Sequence, residues 1–171
     1  MGYVALQYAE ALFGIALEEG QIDETLVDFD MFNNAIDDEI YKFLNHPKIS
    51  KKDKKVVIEK ALTNNLLKNF IFVMIDNFRI ELLEESLIEF KKIVDRQNNI
   101  MKVWVYSKKE LNTEQKKDLK TNLKKKHNRK IELKNIVDSS IAGGLRIEYE
   151  GMILDDTINN YLQTLKANLT K

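Results

Sequence analysis

The sequence predicts a mainly α chain in two parts. A bundle of five or six helices occupies residues 1–100, and a small α/β unit in the order β-α-β-β-β-α occupies 101–171. Three observations carry this division. Apolar residues recur at helical spacing through the first hundred positions, punctuated by capping and breaking residues. Period-two alternation begins only after Gln97-Asn98-Asn99. Charge divides at the same place: residues 1–100 hold 12 basic and 18 acidic groups, whereas 101–171 hold 15 and 9, although the chain balances at 27 of each. Such asymmetry between halves marks two modules with different surfaces.

The first half breaks into helices as follows. Residues 3–19 are helical, with Gly20 where a helix-ending glycine belongs. Leu26, Val27, Phe29, Phe32, Ile36, Ile40, Phe43 and Leu44 continue a 3.6-residue repeat, broken near Asp37-Asp38 and ended by His46-Pro47, since proline cannot continue the ladder. Ser50 is a good N-cap for a helix to about Leu62, and Asn64-Asn65 marks the next break. Two further helices cover roughly 65–78 and 80–97.

In the second half, Met101, Val103 and Val105 share one face of a strand, and Lys102, Trp104 and Tyr106 share the other. A lysine-rich helix follows over about 113–127, capped by Asn112 with Gln115 in the reciprocal position. Ile131 and Leu133 mark a second strand, and Leu145, Ile147 and Tyr149 a third. Glu150-Gly151 is a hairpin turn into Met152-Ile153-Leu154. Asp155 or Asp156 then caps a last helix with Ile158, Leu162, Leu165 and Leu169 on one stripe.

A chain of 171 residues buries roughly two thirds or more of its unfolded surface and needs no covalent staples. With no cysteine, a disulfide framework, a cysteine zinc site and a cysteine nucleophile are all excluded. No run approaches the roughly 18 apolar residues of a membrane span. Met1-Gly2-Tyr3 opens directly into the helical pattern, so no targeting address is expected. Lysine outnumbers arginine by 23 to 4, a bias that points to AT-rich coding and a bacterial source.

Catalytic signals are sparse. His46 and His127 have no partners at ligand spacing and read as turn residues. Ala142-Gly143-Gly144 runs into a strand and not a helix N-terminus, so its glycines serve close backbone approach, not phosphate. No enzyme site, metal or cofactor is expected. The basic residues of 116–130, with Trp104 and Tyr106 as stacking platforms, form the alternative reading, a nucleic-acid-binding module. Against it stand the scarcity of arginine and the need to bury Leu119 and Leu123 on the same helix, which make a solvated lysine face the simpler account.

The informative anomaly is apolar excess. In the first helix Gln7, Glu10, Gly14 and Glu18 form one narrow polar strip, and apolar residues cover nearly everything else. Phe70-Ile71-Phe72-Val73-Met74-Ile75 runs right round the fifth helix. Such helices must be covered on every side. Two of them in about a hundred residues point to an exposed groove for a partner helix, which Ala5, Ala9, Ala11 and Ala16 would allow to approach closely.

These residues also carry a family resemblance. Tyr8-Ala9-Glu10-Ala11-Leu12-Phe13 with Ala16, Phe43-Leu44-Asn45-His46-Pro47-Lys48-Ile49, and Asn69-Phe70 with Asp76-Asn77-Phe78-Arg79-Ile80 occur in order. Val137-Asp138, Ile141, Gly143-Gly144-Leu145, Ile147-Glu148, and then Asp155 and Thr157 complete the pattern. The whole chain resembles the delta-subunit family of bacterial F-type ATP synthase, whose mitochondrial counterpart is the oligomycin-sensitivity-conferring protein. Departures are Glu150-Gly151 in place of glycine then aspartate, Thr157 for serine, Asp156 where glycine is common, and the basic Lys108-Lys109.

The resemblance implies a six-helix N-terminal domain bound to the catalytic head and a small α/β C-terminal domain bound to the peripheral stalk. It implies a non-catalytic stator subunit that resists rotation during ATP synthesis. The alpha subunit's N-terminal helix would lie against the first and fifth helices, and the b subunits would meet the C-terminal domain. Tyr8, Ala11 and Val73 match the family's groove residues, and helical spacing extends the set to Leu12, Ile15, Phe70 and Met74. Gly143, Gly144, Asp155 and Thr157 are signature residues of structural kind. The family works in the bacterial cytoplasm, on the cytoplasmic face of the cell membrane, held there through the complex only and without nucleic acid. The divided charge then implies two docking surfaces of opposite sign.

Overall fold

The computed structural model describes residues 2–169, with side chains described for all but 164 and 167–169. The chain forms two compact units, dividing between Val94 and Asp95. The division falls inside a helix, whose last turn goes with the second unit.

The first unit holds α1 (Gly2–Glu18), α2 (Ile22–Ala35), α3 (Asp38–Asn45), α4 (Lys51–Ala61), α5 (Asn65–Asp76) and most of α6 (Leu83–Gln97), the last preceded by a 3₁₀ turn at Ile80–Leu82. Local chemistry sets most of these boundaries. Gly20 takes φ +68°, and the Gln21 N–H donates to the Ala16 carbonyl at 2.9 Å, closing α1 in a Schellman motif. Side-chain oxygens of Asp37, Ser50 and Asn64 accept from the N–H groups of Ile40, Asp53 and Leu67, capping α3, α4 and α5. α5 ends in the same motif as α1, but with Phe78 at φ +55° where glycine is usual.

α5 is the central helix, packed against α1, α2 and α4. Its apolar run is therefore consumed mostly by the unit's own core. Ile71, Met74 and Ile75 are buried there with Leu12, Phe29 and Phe90. The rings form a chain of edge contacts, with Phe29 lying 5.5 Å from Phe70 and 6.3 Å from Phe90, centroid to centroid. The small residues of α1 correct the sequence reading. Ala5, Ala9 and Ala16 are buried inside the bundle and let its own helices approach; of the four, only Ala11 is exposed.

The second unit is a four-stranded sheet in the order β2-β1-β3-β4. β1 (Ile100–Ser107) pairs in parallel with β2 (Lys130–Val137), and α7 (Thr113–His127) makes the crossover such a pair requires. Asn112 and Gln115 cap α7 reciprocally. β3 (Gly144–Tyr149) pairs antiparallel with β1 and with β4 (Met152–Thr157). The β3–β4 turn has φ +47° at Glu150 and +81° at Gly151, the two positive values of a type I′ hairpin. Met101, Val103 and Val105 are buried with Leu123, and Leu119 packs against them, so α7 covers that face of the sheet.

The last helix, α8 (Ile158–Leu169), begins later than either aspartate would place it. β4 stays paired with β3 through Thr157, opposite Gly144, so neither Asp155 nor Asp156 can cap. Thr157 caps instead, its Oγ1 accepting from the Asn160 N–H at 3.2 Å. Asp155 holds that hydroxyl, accepting from Thr157 Oγ1 at 2.6 Å. Ile158, Leu162 and Leu165 are exposed; the side chain of Leu169 lies outside the described residues.

Candidate partner-binding groove

Between α1 and α5 lies a groove of about 870 Å³. The Asn77 side-chain amide at the end of α5 donates to the Tyr8 hydroxyl near the start of α1 at 3.0 Å. Asn65 and Leu66, at the start of α5, share the lining with Ile15 and Glu19 at the end of α1. A continuous lining with those neighbours requires the two helices to run antiparallel. The floor is firm: Leu12 is 2 % and Phe70 9 % exposed, and both belong to the core cluster. The walls offer apolar surface to solvent, with Ile15 and Val73 each 49 % exposed. Tyr8 stands edge-on to Phe70, with centroids 6.1 Å apart and planes at 80°.

Tyr8, Ala11, Leu12, Ile15, Phe70 and Val73 all line this groove. Met74 does not. It is fully buried on the core side of α5. At 100° per residue the lining runs through Leu66, Phe70, Val73 and Asn77, and Met74 lies about a quarter turn beyond that stripe. Sequence reading missed the polar members of the lining, Gln7, Glu19, Asn65, Asn69, Asn77 and Arg79. Polar residues beside an apolar stripe carry no periodic signal that separates a groove rim from an ordinary solvated face.

In the second unit close backbone approach is the work of Gly144 alone, because a Cβ on Gly143 would meet only the Ile158 side chain. A Cβ on Gly144 would lie 2.1 Å from the Asp156 carbonyl oxygen, and φ there is +85°. The 138–143 loop is tied to α8 by Asn159, which accepts from the Ala142 N–H at 3.0 Å and donates to the Ser140 carbonyl at 3.0 Å. Asp138 accepts from the Ser140 hydroxyl and N–H, which hold its carboxyl below the usual range.

The rival nucleic-acid reading loses its geometry. α7 and its lysines cover the Met101–Val103–Val105 face, whereas Trp104 and Tyr106 project from the opposite face. Tyr106 is already engaged, with the Arg146 guanidinium 4.4 Å from its centroid. Basic groove and stacking platform are not one surface. His46 Nδ1 accepts from the Lys48 N–H at 3.2 Å, and His127 stands edge-on to Tyr149 at 5.1 Å. Among the described residues no group of three or more His, Cys, Asp or Glu could hold a metal ion, and no helix is long and apolar enough to cross a membrane.

Comparisons with known proteins agree over the whole length. The profile of the family described as OSCP, ATP synthase delta (OSCP) subunit, matches residues 4–169. A protein of Clostridium botulinum (strain Loch Maree / Type A3) called ATP synthase subunit delta is 34 % identical over 174 residues, covering 99 % of this chain and 97 % of the relative. One of that name from Clostridioides difficile (strain 630) is 30 % identical over 178 residues, covering 98 % and 96 %. A chain from the cryo-EM structure of the Toxoplasma gondii mitochondrial ATP synthase hexamer shares the fold, with TM-score 0.72, 18 % identity, and coverage of 98 % of this chain and 97 % of that one. The six-helix unit, the small mixed sheet and the profile match together place this chain in the ATP synthase delta (OSCP) subunit family.

Proposed function

We propose that this chain is a non-catalytic stator subunit of an F-type proton-translocating ATP synthase, joining the catalytic head to the peripheral stalk. The carrying observation is the α1–α5 groove, a preformed apolar channel of about 870 Å³ whose floor belongs to the core of the bundle. The N-terminal amphipathic helix of an alpha subunit is its occupant. The second unit meets the b subunits, and the exposed apolar residues Ile153, Ile158, Tyr161 and Leu162 of β4 and α8 support that assignment. The work is mechanical: two durable contacts, one on each unit, oppose the torque of rotation. The chain sits on the cytoplasmic face of a bacterial membrane, held there by the complex.

Apolar burial at roughly 25 cal/mol per Å² favours slow dissociation, offset in part by ordering the free helix. Titration calorimetry with a synthetic alpha N-terminal peptide tests the reading. Ala11 is exposed in the groove, so Ala11→Asp leaves the bundle folded and places an unpaired carboxylate under the bound helix. Affinity is expected to fall by about tenfold or more. Unchanged affinity with intact far-UV circular dichroism overturns the assignment.

A further inference from the structure

Among the described residues of α8 no side chain is buried. Ile158, Tyr161, Leu162 and Leu165 lie between 40 % and 64 % exposed, and none belongs to the core cluster of the second unit. α7 is the contrast, with Leu123 buried in that cluster and Leu119 packed against it. The two helices are therefore held in different ways. An isolated helix shorter than roughly 12–15 residues is marginal in water, and helices in proteins persist chiefly through packing. With 12 residues and so little burial, α8 depends on other ties.

Three hydrogen bonds run from its first turn to one loop. The Ile158 N–H donates to the Gly143 carbonyl at 3.0 Å. The Asn159 side chain supplies the other two, from the Ala142 N–H and to the Ser140 carbonyl, so one amide uses both of its polarities on the loop backbone. The Thr157 cap and the bond from the Asn160 amide to the Asp155 carbonyl join the helix to its own preceding strand. The loop keeps its shape by bonds that do not involve α8. The Asp138 N–H donates to the Ser107 carbonyl at 2.9 Å, the Ile141 N–H donates to the Asp138 carbonyl at 3.2 Å, and the Ile141 side chain is buried. On the other side, Thr157 is fixed by its pairing with Gly144.

We propose that α8 is a detachable helix: in the free chain it unlatches and unwinds in one piece while the four-stranded sheet stays folded, and Asn159 is the latch that sets how often it does so. Detachment breaks a few exposed hydrogen bonds and uncovers little apolar surface, whereas opening the sheet uncovers Met101, Val103 and Val105. Segments with few buried contacts open at the low end of the free-energy range and core strands at the high end. Ser140, Ala142 and Asn159 are all exposed, so water takes over the bonds that the latch releases and no polar group is stranded.

Hydrogen exchange of the full chain, read residue by residue by NMR, is the test. Amides 162–166 of α8 are expected to exchange at least about a hundredfold faster, after correction for intrinsic rates, than amides 104–106 of β1, which is paired on both sides there. Asn159→Ala, which removes two hydrogen bonds, is expected to speed the α8 amides by roughly tenfold and to leave 104–106 unchanged. Alanine is the better helix former, so propensity alone predicts slower exchange and the sign separates the two effects. Equal protection of α8 and β1 in the parent chain shows the helix to be part of the core and overturns the proposal. Exchange of α8 that the variant leaves unchanged or slows also overturns it, as does an equal rise in α8 and β1.

Discussion

Replacing Gly144 by alanine separates what the double glycine does from what one glycine would do. The backbone there has φ +85°, and a left-handed conformation costs an L-residue about 1–2 kcal/mol. The new methyl would lie 2.1 Å from the Asp156 carbonyl oxygen and 3.0 Å from Thr157 Cα, both backbone atoms of the paired strand. Relief requires β4 to shift against β3, so the total loss is expected to exceed about 3 kcal/mol. Gly143→Ala is the control: its methyl meets only the Ile158 side chain, closest at Cδ1, 2.8 Å away, the far end of a flexible and exposed side chain. That variant is expected to cost under about 1 kcal/mol. The chain's single tryptophan, Trp104, lies in β1 opposite Glu148 of β3, so its emission follows the second unit and not the helical bundle. With a urea dependence of about 1 kcal/mol per M for so small a unit, the Gly144→Ala midpoint falls by about 3 M, or the unit is unfolded from the start. A midpoint within about 0.5 M of the parent, or equal losses for the two glycines, refutes the close-approach argument.

In the first unit, Thr25 is fully buried in α2 and its hydroxyl has no hydrogen-bond partner among the described residues. Thr25→Val is expected to raise stability by about 1 kcal/mol and the thermal midpoint by several degrees, and a lower midpoint by circular dichroism would count against an unsatisfied hydroxyl. Phe78, at φ +55° with the Lys51 ammonium 4.0 Å from its ring centroid, is expected to tolerate glycine with a gain of up to about 1 kcal/mol, because strain relief exceeds one exposed cation–π contact. A loss in chemical denaturation would show the ring contact to be the stronger. Ser140→Ala is expected to lift the Asp138 carboxyl towards its ordinary value, followed by carbon NMR titration. The sign follows from a folded value held low: the stabilisation is present above the unfolded carboxylate value and is lost as pH falls through the folded one, so the variant is less sensitive to that acid range.

Helix boundaries were legible because caps act within three residues of themselves. Asp37, Ser50, Asn64 and Asn112 each accept from the N–H three positions on, and no distant contact is needed to place them. The start of α8 failed the same reasoning because pairing of Thr157 with Gly144, thirteen positions back, outranks the local preference of Asp155 and Asp156. The groove was legible in part. Apolar excess on α1 and α5 identified the two helices, but a helix apolar on every side gives no sign of which side its own bundle covers. Met74 and three of the α1 alanines turned inward for that reason. The separation of the lysine helix from Trp104 was equally invisible, since alternation defines two faces of a strand and leaves open which one α7 covers.

The same ambiguity explains how the groove keeps its shape. Phe70 is at once its floor and the partner of Phe29, whose ring also meets Phe90, so floor and core are one packed chain of rings. Leu12 is likewise shared between lining and core. Floor residues fixed by the core cannot collapse into the groove when it is empty, and little ordering remains to be done on this side when a helix arrives. In the proposed docking the entropic cost then falls on the incoming helix, and affinity depends on how well that segment is already formed. The proposed stator role would gain from such an arrangement, because a rigid receiving surface concentrates the resistance to dissociation in contacts that break together.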